Sequence, residues 1–205
     1  MPKPTKSIAR IFSQRIQDLE ATRSRMERAL LVGSIPLDDV AQVYAGLFLE
    51  VFAEFEALLE DLFLGLLSGE LYSLTNPIKR IVIIKPALKA QDVIFGGRPY
   101  LDWLPYTLYT LPRAQIYFED GKPFSYLAQP QKDTIHNYNL IRNAIAHKSD
   151  IARKKFEDLI RQLPLLRHER TPGGYLRSKP HGGVAQNQYE IAVIELEIIA
   201  KSLCI

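Results

Sequence analysis

Tyr44, Leu47, Phe48, Val51, Phe52, Phe55, Leu58, Leu59, Leu62, Phe63 and Leu66 recur at intervals of three and four. That period belongs to an α-helix, and a stripe this long must be covered by other elements. A chain that carries it is constrained to pack helices around one central helix. The same stretch argues against a membrane span, because residues 46–67 hold Glu50, Glu54, Glu56, Glu60 and Asp61. Five carboxylates within one bilayer thickness cost too much. The polar side has a single sign: residues 46–70 carry six acids and no Lys or Arg. Something basic is expected to face it, in this chain or in a second copy.

Four further helices follow from caps and breakers. The first is expected over residues 7–31, ended by Gly33-Ser34-Ile35-Pro36, with Asp38-Asp39 supplying acid at the next helix start. A helix preceded by Pro130 and capped by Asp133 or Thr134 runs to about His147. Ser149-Asp150 caps the next, over 151 to about 163, which Pro164 stops. The last covers 188–203. Thr171-Pro172-Gly173-Gly174 and Lys179-Pro180-His181-Gly182-Gly183 frame a segment expected to be irregular. Residues 69–132 read as loops with short helical pieces. There Ile81-Val82-Ile83-Ile84 is either a short strand or the end of a helix stopped at Pro86. Gly96-Gly97-Arg98-Pro99 is a turn, and Glu119-Asp120-Gly121-Lys122 is placed to tip a small hairpin. No period of 20 to 50 residues repeats, which excludes a solenoid. The expected class is all-α, a helical bundle with a loop-rich insert between the second long helix and the helix ending near His147.

Composition narrows the function classes. The 205 residues suit one domain, 1–205, with a real core. Lys plus Arg number 26 and Asp plus Glu 23, so a net charge of +3 excludes a uniformly basic, histone-like surface. Cys204 is the one cysteine, which excludes an internal disulfide. His136, His147, His168 and His181 have no cysteine partners for a structural zinc, so no metal and no cofactor is expected. The opening Met1-Pro2-Lys3-Pro4-Thr5-Lys6 begins no apolar run of the signal-peptide kind, and a soluble, cytoplasmic protein is expected.

The chemistry concentrates in Ile141-Arg142-Asn143-Ala144-Ile145-Ala146-His147-Lys148-Ser149. Arg offers a planar, permanently charged fork that suits a phosphate. His titrates near neutrality and moves protons. Together they are a minimal kit for cutting RNA: one group takes the ribose 2′-hydroxyl proton, and another stabilises charge on the phosphorus oxygens. Spacing alone is weak, because 14 arginines and four histidines yield such pairs by chance, as Arg161 and His168 illustrate. The bland account of Arg142 and His147 is a pair of helix-end cations complementing the macrodipole. Five residues place them about 140° apart around a helix, so they meet only if Arg142 bends round, His147 lies beyond the last turn, or two copies pair. His136, Leu140, Asn143 and His147 share a face, which makes His136 either a second functional histidine or an ordinary first-turn residue.

The string Arg-Asn-Ala-Ile-Ala-His resembles the Arg-polar-x-x-x-His signature of HEPN-superfamily proteins. Phe55-Glu56-Ala57-Leu58-Leu59-Glu60 is similar to the second helix of the RiboL-PSP-type HEPN branch. Trp103-Leu104-Pro105, Gly121-Lys122-Pro123-Phe124 and Gly173-Gly174-Tyr175-Leu176-Arg177-Ser178 resemble recurrent pieces of it. The similarity spans about residues 43–203. It implies an all-α, HEPN-like domain, usually a homodimer with a composite cleft. Many members are metal-independent endoribonucleases of toxin–antitoxin or antiviral defence systems, some with an antitoxin partner; others bind RNA, nucleotides or proteins without cutting. Carried over, Arg142 binds the phosphate and stabilises the transition state, Asn143 orients the group, and His147 transfers the proton.

Two surroundings bear on that expectation. A carboxylate of the acidic helix would orient Arg142 before substrate arrives, Glu56 first and Glu60 second; the alternative is that both are solvated. Residues 142–179 hold ten Lys or Arg against four acids. Lys148, Arg153 and Lys154 are the expected contacts to an RNA backbone, or else part of an ordinary solvated helix. Tyr138 and Tyr175 are candidates to stack bases. Gly173-Gly174 lacks the following Lys-Ser or Lys-Thr of a phosphate-binding loop, so an NTPase is not expected.

Overall fold

The computed structural model describes residues 2–85 and 87–205. Among them the class is all-α: α1 (Lys6–Leu31), α2 (Leu37–Ser68), α3 (Ala87–Phe95), α4 (Thr110–Tyr117), α5 (Gln129–Ala146), α6 (Asp150–Ile160), α7 (Pro172–Arg177) and α8 (Gln188–Leu203). The one sheet among these residues pairs β1 (Lys3–Pro4) in parallel with β2 (Leu71–Tyr72), Lys3 opposite Leu71. No helix among the described residues is long and apolar enough to cross a membrane. The α2 stripe is buried along its length, from Tyr44 to Leu66.

Two compact units divide the chain. The first comprises the stretch up to Ser13, residues 54–136 and residues 197–205; the second comprises residues 14–53 and 137–196. In the first, Phe63 of α2 is the hub. Its ring lies 5.1 Å from Trp103, 5.1 Å from Phe118, 5.6 Å from Phe124 and 5.9 Å from Tyr117. Edge and tilted contacts of this kind add to the burial of the rings themselves. Polar atoms inside the cluster are paired: Trp103 Nε1 donates to Glu60 at 2.8 Å, and Tyr106 Oη donates to the Phe124 carbonyl at 2.7 Å. Cys204 is buried here, and burial pushes its thiol up to about 12, away from reactive thiolate.

The second unit has a polar centre. Tyr44 Oη donates to Glu27 at 2.9 Å and accepts from Arg23 at 3.1 Å and from Asn187 at 3.0 Å. Arg177 grips Glu27 with Nε at 2.9 Å and Nη2 at 3.1 Å, and Arg23 pairs with Glu190 at 2.7 Å. Asn187 and Glu190 cap α8 reciprocally, each side chain accepting from the other's backbone N–H.

Several expectations are corrected. The helix with Pro130 starts at Gln129, so neither Asp133 nor Thr134 caps it; the Gln131 side chain instead reaches back to accept from the Ala128 N–H at 2.9 Å. Ile81-Val82-Ile83-Ile84 is neither strand nor helix, and Pro86 lies outside the described residues. Residues 119–121 form a 3₁₀ turn with Asp120 at φ 55°, not a hairpin tip; Phe118 bridges to Arg80 instead. Thr171-Pro172-Gly173-Gly174 is ordered as the start of α7, with the Thr171 hydroxyl accepting from the Gly174 N–H at 3.1 Å. The first of its glycines has a steric cause: a Cβ on Gly173 would lie 2.0 Å from the Ala41 carbonyl oxygen of α2. Expectations for residues 7–31 and 188–203 agree closely with α1 and α8.

Candidate active site

The site is built at the C-terminal end of α5. The helix ends at Ala146, and His147 is the first residue beyond it. Its N–H still donates to the Asn143 carbonyl at 2.9 Å, which ties the residue to the last turn. Freed from helical side-chain geometry, its ring turns back toward Arg142. Arg142 Nη1 lies 3.5 Å from His147 Nε2 and donates to Asn143 Oδ1 at 3.0 Å. The angular objection raised by five-residue spacing is thus resolved within one chain, by termination of the helix. Ser149 makes that stop abrupt, because its hydroxyl accepts from the Ala152 N–H at 3.2 Å and begins α6.

Arg142 and Asn143 are half-buried and His147 is exposed. Asn143 holds one nitrogen of the Arg142 fork and thereby limits its rotation. A planar cation held by an amide can bind a phosphate, and the exposed imidazole beside it can transfer a proton.

The other expected residues lie on α2, on α5 and just past the motif. Glu56 and Glu60 lie half-buried on α2 in the first unit, and Glu60 accepts from Trp103 there. His136 is an exposed residue of α5 in the first unit. Lys148, Arg153 and Lys154 are exposed in the second unit, just past the motif. Arg153 already faces carboxylates, Asp150 at 2.8 Å and Glu157 at 3.7 Å. Tyr138 packs edge-on against Phe48 at 5.9 Å and donates to Glu195, and Tyr175 packs on Phe156 at 6.0 Å. Arg161, the chance partner of His168, pairs with Asp158.

Sequence reasoning misses a second set, Arg23, Glu27, Tyr44 and Arg177, which meets at a cleft of about 680 Å³. These residues are scattered over α1, α2 and α7. No spacing rule links them; the Asn-x-x-Glu cap at Asn187 and Glu190 is the local signal nearby. Comparison with protein-family models, with curated proteins and with solved structures gives no match to this chain.

Proposed function

We propose that this protein is a metal-independent endoribonuclease of the HEPN type, acting as a homodimer. The observation that carries the reading is the 3.5 Å approach of Arg142 Nη1 to His147 Nε2, with Asn143 holding the guanidinium at 3.0 Å. In the proposed reaction the His147 imidazole takes the proton of a ribose 2′-hydroxyl. The 2′ oxygen attacks the adjacent phosphorus, and the bond to the 5′ oxygen breaks. Arg142 stabilises the charge that builds on the non-bridging oxygens. The 5′ oxygen leaves with a proton supplied in the composite cleft, where the second copy brings its own histidine. The products are a 2′,3′-cyclic phosphate and a 5′-hydroxyl. The exposed Lys148, Arg153 and Lys154 hold the RNA backbone electrostatically. A toxin or antiviral role, with an antitoxin partner, is what the resemblance implies.

The test is incubation of purified protein with end-labelled RNA in excess EDTA. Wild type is expected to leave cyclic phosphate ends. Arg142→Ala and His147→Ala are each expected to lose at least about a hundredfold in rate with an unchanged melting temperature. Undiminished cleavage by both variants would overturn the assignment. RNA that is bound yet left intact by wild type would point to a non-catalytic binding module instead.

A further inference from the structure

The cleft of about 680 Å³ lies in the second unit, and its size is that of a ligand site. The three carboxylates on its wall are already engaged. Glu27 accepts from Arg177 and Tyr44, Glu190 pairs with Arg23, and Glu169 accepts from the Leu166 N–H at 2.8 Å. The cations on the wall keep capacity. Arg177 uses Nε and Nη2 on Glu27, which leaves Nη1. Lys179 and His181 follow within four residues, and both are exposed. His181 donates from Nε2 to the Pro164 carbonyl at 2.8 Å, which leaves Nδ1 for another partner.

Two further concavities adjoin the cleft along α7. The cleft shares Glu169, Arg177 and Ser178 with a hollow of about 90 Å³. That hollow shares Asp38, Ala41 and Thr171 with an open groove of about 510 Å³. The groove is lined by Ala144 and Ile145, in the turn of α5 between Asn143 and His147. The three concavities share these wall residues around α7, where Gly173 allows that helix to approach Ala41 closely.

We infer that the cleft of about 680 Å³ is a phosphate subsite for a part of the RNA strand away from the cut, with Arg177, Lys179 and His181 on its wall. This rests on RNA being the ligand proposed above. Lys179 supplies charge, and Arg177, anchored on Glu27, supplies a fixed direction.

The experiment measures binding in a His147→Ala background, so that RNA stays whole. A fluorescent single-stranded dodecamer, a dinucleotide and AMP are titrated against that protein and against the same protein with Lys179→Ala and His181→Ala added. The dodecamer is expected to bind about tenfold more weakly to the latter, with a salt slope shallower by about 0.7 for each phosphate no longer neutralised. Dinucleotide and AMP binding should be unchanged. Lys179→Glu should weaken the dodecamer further than Lys179→Ala. Equal dodecamer affinity with and without the two substitutions would overturn the subsite. So would a loss shared equally by AMP, which would make the cleft a mononucleotide pocket. The two readings fail separately. Wild type that leaves RNA intact while the Lys179 effect persists overturns the nuclease alone. Cleavage by wild type with no Lys179 or His181 effect overturns the subsite alone.

Discussion

α2 supplies the central side chain of two unlike interiors. Around Phe63 the first unit is held by rings: Trp103, Phe118, Phe124 and Tyr117 all lie within 5.9 Å. Around Tyr44 the second unit is held by directed bonds among Arg23, Glu27, Arg177 and Asn187. Burial of rings depends on area and shape and is indifferent to protonation. A buried polar network depends on every member being present and in the right charge state, because an orphaned group costs more than a made bond gains. The second kind of interior fixes geometry more tightly. It lies in the unit that also carries Arg142 and His147.

The largest expected effect tests the ring cluster. Phe63→Ala removes the hub and should cost about 3–5 kcal/mol in urea unfolding, by the same amount at pH 7 and pH 3.5. A cost that changed with pH would break the contrast. Next comes Gly173→Ala, which places a methyl 2.0 Å from the Ala41 carbonyl oxygen and should cost about 3 kcal/mol. A tolerated alanine would show that α7 and α2 move apart freely.

Glu27→Gln sharpens the comparison through pH. Burial pushes the Glu27 carboxyl up, but hydrogen bonds from Arg177 and Tyr44, with the Arg177 charge, outweigh it and hold the group below 4.5. A carboxylate lowered in the folded state adds stability above its unfolded value and loses it as pH falls through the folded one. Glu27→Gln should therefore cost about 2 kcal/mol at pH 7, with the difference from wild type shrinking below about pH 4. Urea midpoints at the two pH values check this. The smallest effect is Arg153→Ala: its partners Asp150 and Glu157 are exposed, so the urea midpoint should not move, while RNA affinity should fall modestly.

Where the signal is local, the sequence is readable. The apolar period of α2, the Gly33 break, the Ser149 cap and the bounds of α8 are legible because each is decided within a few residues. Residues 119–122 mislead, because Asp-Gly is ambiguous without its neighbours and Phe118 pairs with Arg80 far along the chain. Thr171-Pro172-Gly173-Gly174 misleads because paired glycines usually signal a loop; here Gly173 serves close packing of α7 on Ala41. The string from Arg142 to His147 is legible as a candidate for phosphate and proton chemistry, whereas the cleft around Arg177 is not, since its residues come from separate helices.

By itself the sequence determined that this chain is helical, where most helices lie, and that Arg142, Asn143 and His147 fall within six residues. Tertiary structure alone decided that Arg142 and His147 face one another, because that depends on a helix ending at Ala146 and a side chain folding back over it. It alone assembled Arg23, Glu27, Tyr44 and Arg177 from three helices into one network. Spacing along a chain records only what a single element brings together; the meeting of separate elements is set by packing.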